Sequence, residues 1–448
     1  MPSARFFVRS TEHSRDGARL GSWNEQDRGM SSAGHGGSPE AGGRAHRPSG
    51  ASVEEHLAVV EELLRPLRTR TPLSVSVAEA LGRVVHADVV SPVDLPLFRN
   101  SQMDGYAVLA SDVSTVPVTL RVDGVVAAGP SEIVRIESGS AVKIMTGAPV
   151  PLGADAVVPV ENTERSAEGS TPSGDAVTVT VSRQPGDYIR EQGSDITAGT
   201  ILVRAGQVLE PRHIAVLAAV GLDSVTVRSR PTVAVITTGE ELVDAGSTLR
   251  PGEIFDSNGL TLAAHLRANG ADVVSVRRSS DDRSEFEKIL FDAAREAELV
   301  ITSGGVSMGD FEVVKDVVGP LGGRFGSVRM QPGGPQGVAT IEGTPVLDFP
   351  GNPVSTVVSF LIFARNIVRE AAGLDRIEPR SVPLAHSITS IRGKRQMLRA
   401  RLGDDGVSLV AGPGSHLVAA MAWADVLVDV PEDTTALEAG EKVQVIPL

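Results

Sequence analysis

Apolar positions recur along this chain in two rhythms, and the switches between them divide it. Residues 1 to about 50 follow neither. They are rich in Gly, Ser, Arg and His with almost no aliphatic repeat, so the expectation there is a disordered extension. A helical rhythm begins next, with Leu57, Val60, Leu64 and Leu67 on one face behind a Ser52–Glu55 capping-box pattern. Ser76 with Glu79 repeats that pattern, and Gly82 supplies a stop.

From about Pro96 to Ser182 the rhythm shortens to β-like runs at 116–126, 141–145, 156–160 and 177–181, with a polar loop at 166–174. Pro211 then opens a helix closed by Gly221. After Arg230 strands at 233–237, 273–277, 299–302 and 346–349 alternate with helical patterns. Those helices fall at 259–267, after a Ser284–Glu287 cap, at 313–318 and at 354–372. Such alternation predicts a parallel sheet with right-handed crossovers. From about Arg376 short strands return, with Asp404-Asp405-Gly406 as a hairpin turn. Four structural units result, and one is plainly α/β.

Length agrees, since 448 residues exceed what one ordinary core accommodates. Hydrophobic residues at 41% and charged residues at 22% give the balance of a soluble globular protein. No apolar run reaches the roughly 20 residues that span a bilayer, and no secretory signal is visible. The expectation is a cytoplasmic protein with no membrane partner. The chain has no cysteine, which excludes disulfides, cysteine-held metals and thiol nucleophiles. A soft metal handled here must take its sulfur ligands from a substrate. A net charge of −14 argues against nucleic acid as a partner. Anions must instead be met by backbone N–H groups, bridging cations or a few placed arginines.

Three strand-to-helix junctions in the α/β unit are Gly-rich or polar: 237–241 (TTGEE), 303–309 (SGGVSMG) and 350–353 (PGNP). Each alone reads as a turn. In an open parallel sheet, however, such junctions gather at the carboxyl edge, where ligands bind, and three together point to a phosphate-bearing ligand. Carboxylates stand nearby in sequence: Glu240, Glu241, Asp256, Asp281, Asp282, Asp310 and Glu312. Singly each is a cap or a solvated charge. Beside a phosphate they suit Mg²⁺ bridging carboxylates and phosphate oxygens. There is no P-loop lysine and no Gly-x-Gly-x-x-Gly after a strand, and the nine histidines show no ligand spacing.

Taken in order, MDGYA (103–107), KIMTGAPVP (143–151), TTGEEL (237–242), SGGVSMGD (303–310), PGNPVS (350–355) and GPGSH (412–416) resemble the molybdopterin molybdenumtransferase family, the group of MoeA and the gephyrin E domain. The resemblance runs from about residue 52 to the end, and the ordered set is specific where each string is weak. It implies a multidomain fold, α/β plus β-rich. Residues 51–95 with 183–229 would form a linking α/β domain, and 96–182 an inserted β-rich domain. A parallel-sheet α/β domain similar to the single-domain molybdopterin adenylyltransferases would fill 230–375, and a C-terminal β-barrel-like domain 376–448.

The resemblance also implies the last step of molybdenum cofactor biosynthesis: molybdate and adenylyl-molybdopterin as substrates, Mg²⁺ as cofactor, AMP released. By motif position Asp104, Thr146, Glu241, Asp281, Arg399 and Ser415 match catalytic positions, the first two reaching the site from the second subunit of a homodimer. Glu241, Asp256, Asp281 and Glu312 match the metal side. Asp195, Ser303, Gly304, Gly305, Ser307, Pro335, Pro350, Gly351, Asn352, Pro353 and Ser355 match substrate-binding positions. Expected protein partners are a molybdopterin adenylyltransferase and apo-molybdoenzymes.

The chain departs from the pattern in one place that matters. Gln331 and Gly334 align with two lysine positions of the family and Ser327 with a third, Arg329 being a candidate replacement for the charge. Glu312 also stands where an Asp is usual. These departures keep a competing reading open, a molybdopterin-binding or scaffold protein without turnover. A nucleotide pyrophosphatase sharing only the α/β domain is opposed by the 103–107 and 143–151 strings.

Overall fold

The computed structural model describes residues 50–130, 134–165, 175–306 and 312–448. The expected extension at 1–49, the expected loop at 166–174, and Ser307 with Asp310 lie outside the described residues.

Chain order begins at Ala51, whose N–H donates to Ser327 O at 2.9 Å and whose carbonyl accepts from Arg329 at 2.8 Å. The capping box then forms. Ser52 Oγ accepts from Glu55 N at 3.0 Å, and Ser52 N donates to a Glu55 carboxylate oxygen at 2.7 Å. Helix Val53–Leu63 follows. Its apolar face, continued by Leu64 and Leu67, joins the cluster of Val233, Leu262 and Phe363. By packing, this helix is therefore part of the α/β core, although its sequence position assigned it to the linking unit. An apolar stripe buries against the broadest apolar surface in reach, here the helix around Phe363.

The linking unit itself packs around Val77, Val85, Leu209, Leu217 and Val227. It contains helix Pro211–Ala219 and the antiparallel pair Leu73–Ser76 with Ser224–Val227. At 76–79 no second capping box closes. Ser76 Oγ meets the Glu79 carboxylate at 2.9 Å, and a single 3₁₀ turn, Val77–Glu79, replaces the helix. The Ser76 hydroxyl is spent on the Glu79 carboxylate and not on the Glu79 backbone N–H. The inserted unit is a six-stranded sheet in the order Ala156–Pro159, Gly105–Val108, Ser140–Ile144, Val118–Val126, Ala176–Val179, Thr163–Arg165.

The α/β unit orders its strands Asp272–Ser279, Thr232–Thr238, Leu299–Ser303, Thr344–Phe349, Pro335–Ile341, Arg324–Ser327. The first four, the strands expected from sequence, are parallel; Pro335–Ile341 runs against them and Arg324–Ser327 pairs antiparallel with it, so the sheet is mixed, which corrects the all-parallel expectation. The reversal is made by Glu342-Gly343, both with positive φ (49° and 89°) between the paired Ile341 and Thr344. That is the geometry of a two-residue hairpin turn. Two helix details also differ. Helix Arg283–Glu296 is capped by Asp282, whose Oδ1 accepts from Glu285 N at 2.8 Å, two residues before the expected Ser284. The long helix expected at 354–372 is broken by a π-helical stretch, Phe360–Ala364, between Pro353–Ser359 and Arg365–Ala371.

The C-terminal sheet runs Met330–Gln331, Arg395–Gly403, Val426–Val430, Lys442–Pro447, Arg380–Pro383. Gly406–Leu409 returns onto Arg395–Gly403 through the expected turn at Asp404-Asp405. Strand Met330–Gln331 is lent by the α/β segment, and Met330, Met397, Leu427 and Ile446 join the α/β cluster. The two units share this cluster, and the C-terminal unit has a second one around Leu398, Val428 and Val445. Among the described residues no helix is long and apolar enough to cross a membrane.

Candidate active site

Strand register explains why distant loops meet. Thr237 lies beside Ser303 in one parallel ladder, Ser303 beside Phe349 in the next, and Thr238 beside Ser279 on the other flank. The four strands thus end level, and the loops beginning at Gly239, Ser280, Gly304 and Pro350 leave the sheet at one edge. They open on a cavity of about 790 Å³, within the usual range for a small-molecule site.

Close backbone contact demands the glycines. Gly304 sits at φ +109°, and a Cβ there would stand 2.7 Å from Thr238 O. A Cβ on Gly351 would stand 3.2 Å from Gly304 Cα. These loops are pinned by a buried polar network. Asn258 Nδ2 donates to Ser303 Oγ at 3.0 Å and to Gly351 O at 2.6 Å, and Thr356 Oγ1 donates to Pro350 O at 2.7 Å. Gly304 N donates to Phe349 O at 3.0 Å. Beneath the network, buried Asp348 accepts from Thr302 Oγ1 at 2.8 Å, and burial pushes its carboxyl up to about 7.

Four carboxylates line the cavity: Glu241, Asp256, Asp281 and Glu312. Their states differ. Asp256 is engaged on both oxygens, accepting from Thr237 Oγ1 at 2.6 Å and Gly259 N at 3.1 Å. Glu241 and Asp281 are exposed, and neither carboxylate has a hydrogen bond or ion pair among the described residues. The Glu241 carboxylate folds back over Gly239, where a Cβ would meet Oε2 at 2.6 Å.

The C-terminal unit supplies the facing wall through Lys394 and the 413–416 segment. Ser415 O accepts from Val354 N at 3.2 Å, tying that segment to the helix start. Of the positions singled out from sequence, Ser303, Gly304, Gly305, Pro335, Pro350, Gly351, Asn352, Pro353, Ser355 and Ser415 line this cavity with the four carboxylates. Others do not. Arg399 is only 1% exposed, and its guanidinium donates to the carbonyls of Gly412, Gly414 (3.0 Å) and Leu417 (2.6 Å). It braces the loop that carries Ser415.

Asp104 and Thr146 sit together on the inserted unit and are absent from the cavity lining. Thr146 N and Oγ1 donate to Asp104 Oδ1 at 2.7 and 2.9 Å, which holds that carboxyl below the usual range. Asp195 is exposed in a loop where its N–H donates to Leu95 O, also away from the cavity.

Ser327, Gln331 and Gly334 line the cavity, so the lysine-depleted segment does face it. Arg329, the candidate replacement, does not. Its guanidinium is held by Glu432 (Nε to carboxylate 3.1 Å) and by the carbonyl of Gly50. The lysine that does line the cavity is Lys394, a residue not singled out from the sequence. Asn258, the hub of the polar network, was not singled out from the sequence.

Comparison with known proteins covers nearly the whole described chain. Residues 51–221 match the family model for the MoeA N-terminal region (domain I and II), residues 234–370 that for a probable molybdopterin binding domain, and residues 381–448 that for the MoeA C-terminal region (domain IV). Molybdopterin molybdenumtransferase 2 of Mycobacterium tuberculosis is 44% identical over 409 residues, covering 88% of this chain and 98% of that protein. Molybdopterin molybdenumtransferase of Haemophilus influenzae is 31% identical over 400 residues, covering 87% and 96%. Among solved structures, the molybdopterin biosynthesis MoeA protein from Pyrococcus horikosii superposes with a TM-score of 0.67 at 32% identity, covering 87% of this chain and 98% of that one.

Proposed function

The chain belongs to the MoeA family of molybdopterin molybdenumtransferases, and from that premise we propose that it inserts molybdenum from molybdate into adenylyl-molybdopterin with release of AMP. One observation carries this reading. Glycine-lined strand ends, unpaired carboxylates and a C-terminal-domain wall converge on one polar cavity. A pyrophosphate-linked substrate requires N–H donors for its phosphates and charge neutralisation at the bond that breaks. The backbone N–H groups of Gly305, Gly351 and Asn352, residues of the cavity lining, offer the first. With no cysteine in the chain, the sulfur ligands of the metal come from the dithiolene of the substrate.

The donor set fits Mg²⁺ of the kind completed by substrate. Among the described residues no three His, Asp or Glu side chains stand close enough to hold a metal on their own. Mg²⁺ commonly takes one or two carboxylates, with phosphate oxygens and water filling the rest. Glu241 and Asp281 are the residues that would hold it, because their carboxylates are uncommitted. Bound there, Mg²⁺ would neutralise charge on the phosphate oxygens of the leaving AMP. Asp256, already bonded on both oxygens, fixes Thr237 and the start of helix Asn258–Ala268, with Glu312 as the remaining carboxylate on the lining. Ser415 offers a hydroxyl from the facing wall.

Asp104, Thr146 and Asp195 act, in this reading, on the cavity of a second copy in a homodimer. Their exposure and their absence from the cavity of their own chain support it. The substrate is itself a product of adenylyl transfer, so an adenylyltransferase supplies it and apo-molybdoenzymes receive the product. The test mixes purified protein with adenylyl-molybdopterin, Mg²⁺ and molybdate, then measures AMP and reconstitution of an apo-molybdoenzyme. AMP release that depends on molybdate is expected. Equal release without molybdate would mean simple pyrophosphate cleavage, and no release would overturn the reading.

A further inference from the structure

Molybdate is a dianion, yet the loops around the cavity are poor in positive charge. The segment aligned with the family lysines offers Ser327, Gln331 and Gly334 instead. The two arginines nearest in sequence logic are both committed: Arg329 to Glu432 and the Gly50 carbonyl, Arg399 to three loop carbonyls. Arg395 pairs with Asp429 (Nε to Oδ1 2.7 Å) and with Glu54. None has a free fork to turn on an oxyanion. Residues 307–311 add no lysine or arginine.

From this we infer that Lys394 is the residue that captures the incoming oxyanion, its charge having moved from one strand to the strand beside it. The sheet register makes the transfer possible. Met330–Gln331 pairs in parallel with Arg395-Gln396, Gln396 Nε2 donates to Gln331 Oε1 at 2.5 Å, and Arg395 N donates to Arg329 O at 2.9 Å. Neighbouring strands lie about 4.8 Å apart, so a lysine just ahead of Arg395 stands one strand-width from the depleted segment. Lys394 is exposed, lines the cavity, and has no ion-pair or hydrogen-bond partner among the described residues. It shares the C-terminal-domain wall with Ser415 and His416. A mobile ammonium with three donors suits an oxyanion that must arrive, bind and be consumed.

This inference rests on the molybdate-inserting reading, and its test separates the two. Molybdate dependence of AMP release is measured at saturating adenylyl-molybdopterin for the wild type, Lys394→Ala, Lys394→Arg and Lys394→Ala/Gly334→Lys, with equilibrium dialysis of molybdate alone alongside. Losing one charge-assisted contact should raise half-saturating molybdate by about ten- to a hundredfold in Lys394→Ala, with affinity for adenylyl-molybdopterin held within about twofold. Lys394→Arg should keep most of the capture. Gly334→Lys should restore it in the double variant, because a Cβ at Gly334 meets nothing closer than 3.4 Å. Unchanged molybdate dependence in Lys394→Ala, or equal weakening toward both substrates, would overturn the role of Lys394 while leaving the function intact. Should the wild type release no AMP, the function fails. Dialysis then still decides, since equal molybdate binding by wild type and Lys394→Ala, or none by either, would overturn the capture role as well.

Discussion

Asp348 gives the sharpest quantitative handle on how the sheet edge is built. It is fully buried one residue before Phe349, where the chain turns into the Pro350–Pro353 loop. One oxygen accepts from Thr302 and the other, Oδ2, has no partner. Burial raises its carboxyl from 3.8 to about 7, and the Thr302 hydroxyl only partly opposes this. At about 1.4 kcal/mol per pH unit, that rise corresponds to roughly 4 kcal/mol. The folded pKa exceeds the unfolded one, so the folded state binds the extra proton. Stability from this residue is therefore intact below about pH 4, falls as pH rises, and levels off above about pH 7. Asp348→Asn keeps the Thr302 bond and cannot ionise. Denaturant unfolding of both proteins should show the variant gaining about 2–3 kcal/mol on the wild type between pH 5 and pH 8. A difference that stays flat across this window would refute the buried, protonated carboxyl.

Four further outcomes are expected. Gly304→Ala forces a side chain into φ +109° and against Thr238 O, so it should cost about 2–4 kcal/mol in denaturation and abolish binding of adenylyl-molybdopterin. Gly322→Ala, at φ +94° with open space around it, should cost only about 1 kcal/mol. Asp281→Ala should lower the rate of AMP release at least about a hundredfold while shifting unfolding by no more than about 0.5 kcal/mol. Mixing Asp104→Ala subunits with Asp281→Ala subunits should return part of the activity that each lacks alone, because a mixed dimer rebuilds one complete site. A mixture as inactive as its parents would mean that Asp104 serves its own chain.

How far the sequence alone reached follows from the range of each interaction. The Ser52–Glu55 capping box, the turn at Asp404-Asp405 and the level glycine-rich strand ends depend on contacts within a few residues or on a repeated strand-helix length, and all were legible. The antiparallel pair at Pro335–Ile341 was missed because its reversal hangs on Glu342 at positive φ, which residue type does not advertise. Asp282 and Ser284 are both good caps, and the exit of the preceding strand decides between them. Arg399 and Arg329 read as oxyanion ligands by type. Burial among carbonyls and an ion pair with Glu432 commit them elsewhere. Lys394 lay in an unremarked turn, and only the parallel pairing of Gln331 with Gln396 brings it beside the depleted segment.

In the proposed function one cavity, between the carboxyl edge of the α/β sheet and the 413–416 segment, holds the pyrophosphate of the substrate. A crystal structure of Asp281→Ala with adenylyl-molybdopterin addresses it directly. The phosphates should lie against the backbone of Gly304, Gly305 and Gly351, with Glu241 nearby. Well-ordered ligand bound elsewhere on the chain, with this cavity holding only water, would contradict it.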